Sequence, residues 1–380
     1  MIRILVKSKE KSEQAVFETV PATLSLSLWR GLVYILKALI FTTSCKAKPA
    51  LFSKEGEPSN GTPYEVACYS RTANGELKLG SRAVLRTYLP PRTPVDLNTG
   101  FDTFVAKNDS VAHVETLVDA VKSQNYDVSE KADIVTYRNN LNKIALTPYN
   151  DRDVWELDAC RVSGTVFLDI RSTSEDPTDS RGRLFTYYGY KFEQVCCSAD
   201  PLADDGPVDA NEEFCSMVHR QIGNHRVLLC AEIDCEHRDG RETSPLDGYV
   251  ELKTSREPKH RGQWRNMARQ KFLKFWVQSF LAGVPVIKHG FRNDDGVLLK
   301  VETLKTRYIP ALAYDLCGEE WSTDVALNFL SHCLAYIRKV CRNEGSVFRI
   351  KYDPTRRVVE AEHVPETDLA GRIRIALERK

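Results

Sequence analysis

Val227 to Cys235 reads VLLCAEIDC and Tyr249 to Thr254 reads YVELKT, and these two stretches decide the fold. Each is a short apolar run of strand-forming residues with charged side chains set into it at alternate positions. Side chains two apart in a strand share a face. Glu232 and Asp234 therefore point one way, while Ala231 and Ile233 enter the opposite packing layer. The same arithmetic places Glu251 and Lys253 on one face, with Val250 and Leu252 on the other. Only the charged loop Glu236 to Asp247 separates the two strands, and Glu251 follows Asp234 by 17 positions. Adjacent strands would gather carboxylates and one ammonium in one place.

Upstream, Leu184 to Phe192 reads as a further strand. Its end, Tyr188 to Glu193, would put Glu193 on the face shared by Gly189 and Lys191, where the missing side chain of Gly189 leaves room for a ligand. Downstream, the spacing of apolar residues predicts a helix over Gln263 to Leu281, ended by Ala282-Gly283-Val284-Pro285. Lys271, Lys274 and Gln278 fall at i, i+3 and i+7 on its polar stripe, opposite Phe272, Leu273, Trp276, Phe280 and Leu281. Gln278 can thus look into the acidic cluster with two lysines behind it. Arg256 to Lys271 carries six Lys and Arg against Glu257, a pattern suited to backbone phosphates.

The remaining chain reads as strands at Pro63 to Tyr69, within Leu77 to Tyr88, and at Ile134 to Tyr137, Trp155 to Cys160 and Thr165 to Ile170. Further strands are expected at Val286 to Phe291, Gly296 to Val301, Val347 to Tyr352 and Val358 to Val364. Helices are expected from Asp109 to Ser123 and from Ser322 or Thr323 onward. Arg171 to Arg183 and Ser198 to Asn211 read as polar loops. Strands and helices alternate irregularly, so the expected fold is α/β of the α+β type: mixed β-sheets with flanking helices.

Composition is that of an ordinary globular protein, with 42% hydrophobic and 28% charged residues among 380 and a net charge of +1. Bulk charge therefore cannot coat the chain with nucleic acid, and such contact must come from a local basic patch. The eleven cysteines are odd in number and form no C-x-x-C, which points to free thiols rather than disulfides or a zinc site. Residues 1–60 are expected to be a poorly defined leader and 61–380 one domain. Within the leader, Leu24 to Phe41 is apolar but short and interrupted by Arg30 and Lys37, so membrane contact is not expected.

Carboxylates grouped with a lysine suit phosphodiester hydrolysis, which needs divalent cations, an activated water and a counter-charge. Glu193, Asp234 and Glu251 offer hard oxygen ligands for Mg²⁺ or Mn²⁺, with two ions expected. Glu232 would orient or coordinate a metal through water, and the Leu252 backbone carbonyl is a further candidate ligand. Lys253 would either hold the attacking water or stabilise the charge developing on the phosphate.

At this point the sequence resembles the DXO family of RNA 5′-end decapping nucleases. The resemblance rests on YEVACYS (Tyr64 to Ser70), DLNTGFDTF (Asp96 to Phe104), DIVTYRNNLNKI (Asp133 to Ile144), YYGYKFE (Tyr187 to Glu193), AEID (Ala231 to Asp234), VELKTS (Val250 to Ser255) and KFWVQSFLAGVP (Lys274 to Pro285). WSTDVALNF (Trp321 to Phe329) and VFRI (Val347 to Ile350) extend it. It implies a restriction-endonuclease-like nuclease core, catalysis by Glu193, Glu232, Asp234, Glu251, Lys253 and Gln278, and substrate contacts from Arg138, Lys253, Gln278 and Lys274, with Arg138 at the RNA 5′ end. It further implies removal of incomplete or noncanonical caps, unmethylated guanosine and NAD among them, and of 5′ pyrophosphate, with 5′-3′ exoribonuclease activity in some members. One branch partners a 5′-3′ exoribonuclease, which makes the nucleus the expected location and the cytoplasm the alternative. A weakly catalytic or noncatalytic RNA-binding partner of such an exoribonuclease is the rival reading. The chain departs from the family pattern at Arg138-Asn139 and Asn142-Lys143, where Arg-Gly and Thr-Lys are usual.

Overall fold

The computed structural model describes residues 3–6, 16–19, 44–53, 55–56, 58–108, 113–171, 180–198, 206–365 and 367–379. The chain divides into two compact units, Met1–Thr43 and Ser44–Lys380. In the first, β1 (Arg3–Val6) pairs antiparallel with β2 (Val16–Thr19). The apolar segment 24–41 lies outside the described residues. No described helix is long and apolar enough to cross a membrane.

The second unit contains β3 (Cys45–Lys46), β4 (Tyr64–Arg71), β5 (Leu77–Leu79), β6 (Val95–Asp96), β7 (Ile134–Tyr137), β8 (Trp155–Val162), β9 (Thr165–Ile170), β10 (Glu213–Ile222) and β11 (His225–Glu232). It continues with β12 (Cys235–Glu236), β13 (Tyr249–Arg256), β14 (Val286–Arg292), β15 (Val297–Lys305), β16 (Val347–Asp353) and β17 (Val358–His363). Ten of these form one sheet in the order β3-β17-β16-β8-β9-β7-β11-β10-β4-β5, and five form a second, β12-β13-β14-β15-β6. Both sheets are mixed: β7 runs parallel to β9 and β11, and β13 parallel to β14, while the other pairs are antiparallel.

Burial on both faces explains why β11 is apolar from Val227 to Ala231. Val227, Leu229 and Ala231 enter the core on one side of the large sheet, packed with the helices Arg138–Leu146, Leu273–Ala282 and Thr323–Val340. Leu228 and Cys230 enter the core on the other side, under the helices Val114–Lys122 and Leu369–Glu378. A third core covers the far face of the small sheet, where Val250 and Leu252 meet Tyr188, Phe192, Val195 and Cys196.

Several sequence expectations are corrected. Leu184 to Phe192 is not a strand but part of the helix Ser180–Cys197. Its aromatic residues favour strands on propensity, but Tyr187, Tyr188, Phe192, Val195 and Cys196 recur at helical spacing and all bury against the small sheet. That helix also takes in the end of the stretch read as the loop Arg171 to Arg183. Within Leu77 to Tyr88 only Leu77–Leu79 is a strand of the large sheet. Residues 86–88 instead pair with β12, through Glu236 N to the Arg86 carbonyl at 2.8 Å and Tyr88 N to the Glu236 carbonyl at 2.7 Å. Val227 to Cys235 is not one strand: β11 ends at Glu232, and β12 begins at Cys235 in the other sheet.

The long helix is found where expected, as Arg261–Met267, a π-helical turn Ala268–Phe272, and Leu273–Ala282. It stops at Gly283, whose φ of 72° few other residues tolerate. The late helix is capped by Ser322, whose side chain accepts from Val325 N. All eleven cysteines are free thiols.

The helix Ser180–Cys197 is keyed to the small sheet through Gly290 of β14, where a Cβ would lie 2.5 Å from Phe192 and 2.9 Å from Leu298. Gly290→Val is expected to lower stability by about 1–3 kcal/mol through overpacking, read as a fall in the urea midpoint. An unchanged midpoint would show that Phe192 yields without cost.

Candidate active site

The chain crosses from the large sheet to the small one at Ile233 and Asp234. Asp234 turns toward β13, where its Oδ2 accepts from Leu252 N at 2.6 Å. That bond closes the edge of β13 just beyond its last pairing with β12, at Val250. A residue in a strand sends its N–H and C=O to the same edge, so the Leu252 carbonyl also faces this side.

Glu251 lies at the centre, 1% exposed. Its Oε2 accepts from Arg138 Nη1 at 3.1 Å and its Oε1 from Lys253 Nζ at 2.5 Å. Gln278 Nε2, reaching down from the helix Leu273–Ala282, donates to the same Oε1. Glu251 and Lys253 share one face of β13 as their spacing predicts, and Val250 and Leu252 take the other. Arg138, at the start of its helix, is itself buried, and its Nη2 donates to the Glu232 carbonyl at 2.9 Å. One guanidinium thus ties the end of β11 to the middle of β13.

Glu193 stands on the helix Ser180–Cys197 one turn beyond Gly189. The two share a face for a helical reason rather than the strand reason the sequence suggested, and no heavy atom lies within 4 Å of where a Gly189 Cβ would sit. Lys191, expected on the same face, instead donates to Gln194 at 2.8 Å. Glu193 Oε2 accepts from Arg86 at 3.3 Å. Glu193, Glu232, Arg86 and Cys197 help line a cleft of about 330 Å³. Glu232 is held on that wall by Lys107 Nζ at 2.8 Å, which also bonds Glu213 at 2.9 Å.

These charges are not balanced evenly. Burial disfavours the Glu251 carboxylate, but Lys253 and Arg138 outweigh it and hold its pKa below the ordinary value. Lys253 is raised: burial opposes its charge, and Glu251 and Asp234 prevail. Asp234 is pushed well up by burial and by repulsion from Glu251 and Glu193, against Lys253 and the Leu252 N–H. Glu193 is pushed up to about 7 by burial, with Arg86 and Lys253 opposing and Glu232 and Glu251 reinforcing. Asp234 and Glu193 are therefore short of positive charge, a deficit a divalent cation would fill.

The structure brings together Glu193, Asp234, Glu251, Lys253, Gln278 and Arg138, with Glu232 on the rim. Lys274 is exposed one turn before Gln278, and Lys271 donates to Ser255 at 2.9 Å. Asn139 is exposed in the first turn of its helix, where glycine is not required, while Asn142 buries an unpartnered Oδ1. Arg86 and Lys107 were not anticipated. Each lies in an irregular stretch far in sequence from its partner, and only the pairing of residues 86–88 with β12 explains how Arg86 arrives.

A separate group, His113, Glu115 and Asp169, has ligand atoms within 4.8 Å of one another and could hold a divalent ion. Arg372 already bonds Glu115 at 2.7 Å and Asp169 at 3.2 Å. Arg372 supplies part of the charge such an ion would neutralise, while burial and Glu115 still hold the Asp169 carboxyl above its ordinary value.

Residues 61–373 match the family model described as RAI1 like PD-(D/E)XK nuclease. The chain is 32% identical over 323 residues to the Decapping nuclease RAI1 of Emericella nidulans, covering 80% of this chain and 89% of that protein. It is similar to S. pombe Rai1 solved in complex with 3′-FADP, with TM-score 0.73, 27% identity, and coverage of 85% of this chain and 100% of that one. It also shares its fold with Candida albicans Rai1 solved in complex with pU5-Mn²⁺, with TM-score 0.71, 24% identity, and coverage of 84% and 98%.

Glu193 makes the site pH-sensitive. Its carboxyl moves from an ordinary 4.5 to about 7 on folding, so between those values the folded chain binds more protons than the unfolded one. Its contribution to stability must then fall as pH rises through that window. In chelator, the melting temperature of the wild type relative to Glu193→Gln is expected to fall from pH 4.5 to 7; a constant difference would sink this reading.

Proposed function

This chain belongs to the RAI1-like family of PD-(D/E)XK nucleases, metal-dependent hydrolases of RNA 5′ ends, and within that activity we propose that Glu193, Asp234 and Glu251 hold the metal. The observation that supports this assignment is the convergence of the three carboxylates, from a helix, a crossover and a strand, where Arg138 and Lys253 compensate Glu251 but leave Asp234 and Glu193 wanting charge. The donor set contains only hard oxygens, which suits Mg²⁺ or Mn²⁺. A divalent ion bound there would neutralise nonbridging phosphate oxygens and activate a water. We assign two ions, with the Leu252 carbonyl and, through water, Glu232 completing the ligand set. The Candida albicans relative solved with pU5-Mn²⁺ makes Mn²⁺ the first ion to test.

Lys253 bonds Glu251 through one N–H and keeps donors to spare for the attacking water or a phosphate oxygen. Gln278 donates to the same Oε1 of Glu251 as Lys253 does and can turn toward the phosphate. Arg138 directs both terminal nitrogens inward, so it positions Glu251, and a substrate phosphate would have to share it. Lys274, exposed beside Gln278, meets RNA backbone by charge. The substrates proposed are 5′-triphosphate, unmethylated guanosine-capped and NAD-capped RNA, with 5′-3′ exonucleolytic cleavage at the same site. The S. pombe relative solved with 3′-FADP supports including dinucleotide-type ends. An exoribonuclease partner and a nuclear location are proposed on the family resemblance.

The test is incubation of purified chain with these RNAs, with Mn²⁺, Mg²⁺ or chelator. Asp234→Asn is expected to reduce metal-dependent hydrolysis by on the order of a hundredfold or more without lowering the melting temperature, since it removes a charge that burial already disfavours. Glu251→Gln should also abolish turnover, but it strands Arg138 and Lys253 and should destabilise the fold. Wild-type rates in Asp234→Asn would refute the ligand assignment. Absence of product from every RNA would favour a binding partner over an enzyme.

A further inference from the structure

We infer that His289 is a positioning residue for Lys253: its imidazole offers the acceptor to which the lysine ammonium turns when a divalent cation claims Glu251. This role rests on the reading of Glu251 as a metal ligand.

His289 lies in the middle of β14, 1% exposed, and neither of its ring nitrogens has a hydrogen-bond partner among the described residues. A buried polar group left so costs stability that an apolar side chain would not. The neighbours on its own strand show what such a position can hold: Ile287 and Phe291 share its face and join the central core. Phe291, at 4.3 Å, and Phe275, at 5.3 Å between ring centroids, box the imidazole without offering it a hydrogen bond. Packing alone therefore gives no reason for a histidine here.

Register supplies the reason. β13 and β14 run parallel with His289 opposite Lys253, so Glu251, Lys253 and Ser255 share a face with Ile287, His289 and Phe291. The helix above meets that face in the same order: Gln278 bonds Glu251, Phe275 packs on His289, and Lys271 bonds Ser255. Neighbouring strands lie about 4.8 Å apart, within the reach of a lysine side chain. The Lys253 ammonium has three N–H donors, and its acceptor among the described residues is Glu251 Oε1, which also takes the bond from Gln278. A cation on Glu251 would draw on the same oxygen, repel the ammonium and turn it aside. Burial, reinforced by Lys271 and Lys253, pushes the imidazole down to about 3, so one ring nitrogen keeps its lone pair across the neutral range. That nitrogen can take one N–H of Lys253 and leave the hard oxygens to the metal. Lys253 then keeps its other donors for the attacking water or a phosphate oxygen.

The full chain is compared with His289→Leu, which fills the box without a polar atom, and with His289→Gln, which restores an amide acceptor. In chelator the melting temperature of His289→Leu should equal or exceed that of the wild type. With Mn²⁺ on 5′-triphosphate RNA its kcat should fall by about tenfold to a hundredfold, as for one lost hydrogen bond to a charged group, with KM unchanged. His289→Gln should recover most of that rate. In chain labelled with ¹⁵N-histidine, the imidazole resonances missing from His289→Leu should move when Mg²⁺ is added, and should stay in place in Lys253→Met. Wild-type kcat or a lowered melting temperature in His289→Leu, equal loss of kcat in both variants, or a His289 resonance unmoved while calorimetry shows Mg²⁺ bound would each overturn this role alone. If calorimetry finds neither Mg²⁺ nor Mn²⁺ bound to the wild type, the ligand assignment falls and takes this role with it. If the chain hydrolyses none of the RNAs, the resonance alone decides.

Discussion

Everything at this site depends on burying the Glu251 carboxylate in the middle of a strand. An isolated charge at that depth would be prohibitive, and the fold answers with three donors from three directions: Arg138 from the large-sheet side, Lys253 from the same strand and Gln278 from the helix above. Each donor brings an element with it. Removing the carboxylate would leave two buried cations facing one another across the gap between the sheets. Glu251 therefore serves as a structural counter-ion besides its proposed role as a ligand, which separates it from Asp234 and Glu193.

The join between the two sheets follows from the same interaction. Arg138 bonds both Glu251 and the Glu232 carbonyl, at 3.1 and 2.9 Å, and Asp234 completes the closure by taking the Leu252 N–H that β12 is too short to pair. The crossover from β11 to β12 can be abrupt because its polar groups are satisfied by neighbouring elements. A longer β12 would satisfy Leu252 in the ladder and leave Asp234 without its anchor.

Much of this was legible in the sequence, for identifiable reasons. Glu251 and Lys253 lie in a strand whose period of two is intact, so their shared face was readable, as was the reach of Gln278 from a long helix without proline. Glu193 was placed on the right face by the wrong element: 189 and 193 coincide both at a period of two and at one helical turn, and the aromatic run favoured the strand. Lys191 is where the two periods disagree, and there the strand reading failed. Arg86 and Lys107 left no periodic trace, because they act from irregular backbone positioned by tertiary pairing. The break of β11 after Glu232 was hidden because Ile233 and Cys235 are apolar and buried like strand residues, though Ile233 belongs to the central core and Cys235 to the third.

Delivery of the carboxylates by three independently packed elements bears on how the site can be tuned. Glu251 is fixed by the ladder of the small sheet, and Asp234 by its side-chain bond to Leu252 N, so neither moves without breaking a hydrogen bond of the β13 backbone. Glu193 rides on a helix packed on the small sheet through side chains, with one backbone bond near its end, Leu89 N to the Cys196 carbonyl at 2.7 Å, and its carboxylate is held by Arg86 at 3.3 Å beside an open cleft. Side-chain packing yields more readily to small displacements than a hydrogen-bonded ladder does. The helix Ser180–Cys197 is thus the wall of the site set by side-chain packing rather than by a ladder, so substitutions along its packed face should alter the placement of Glu193 before they alter the sheets.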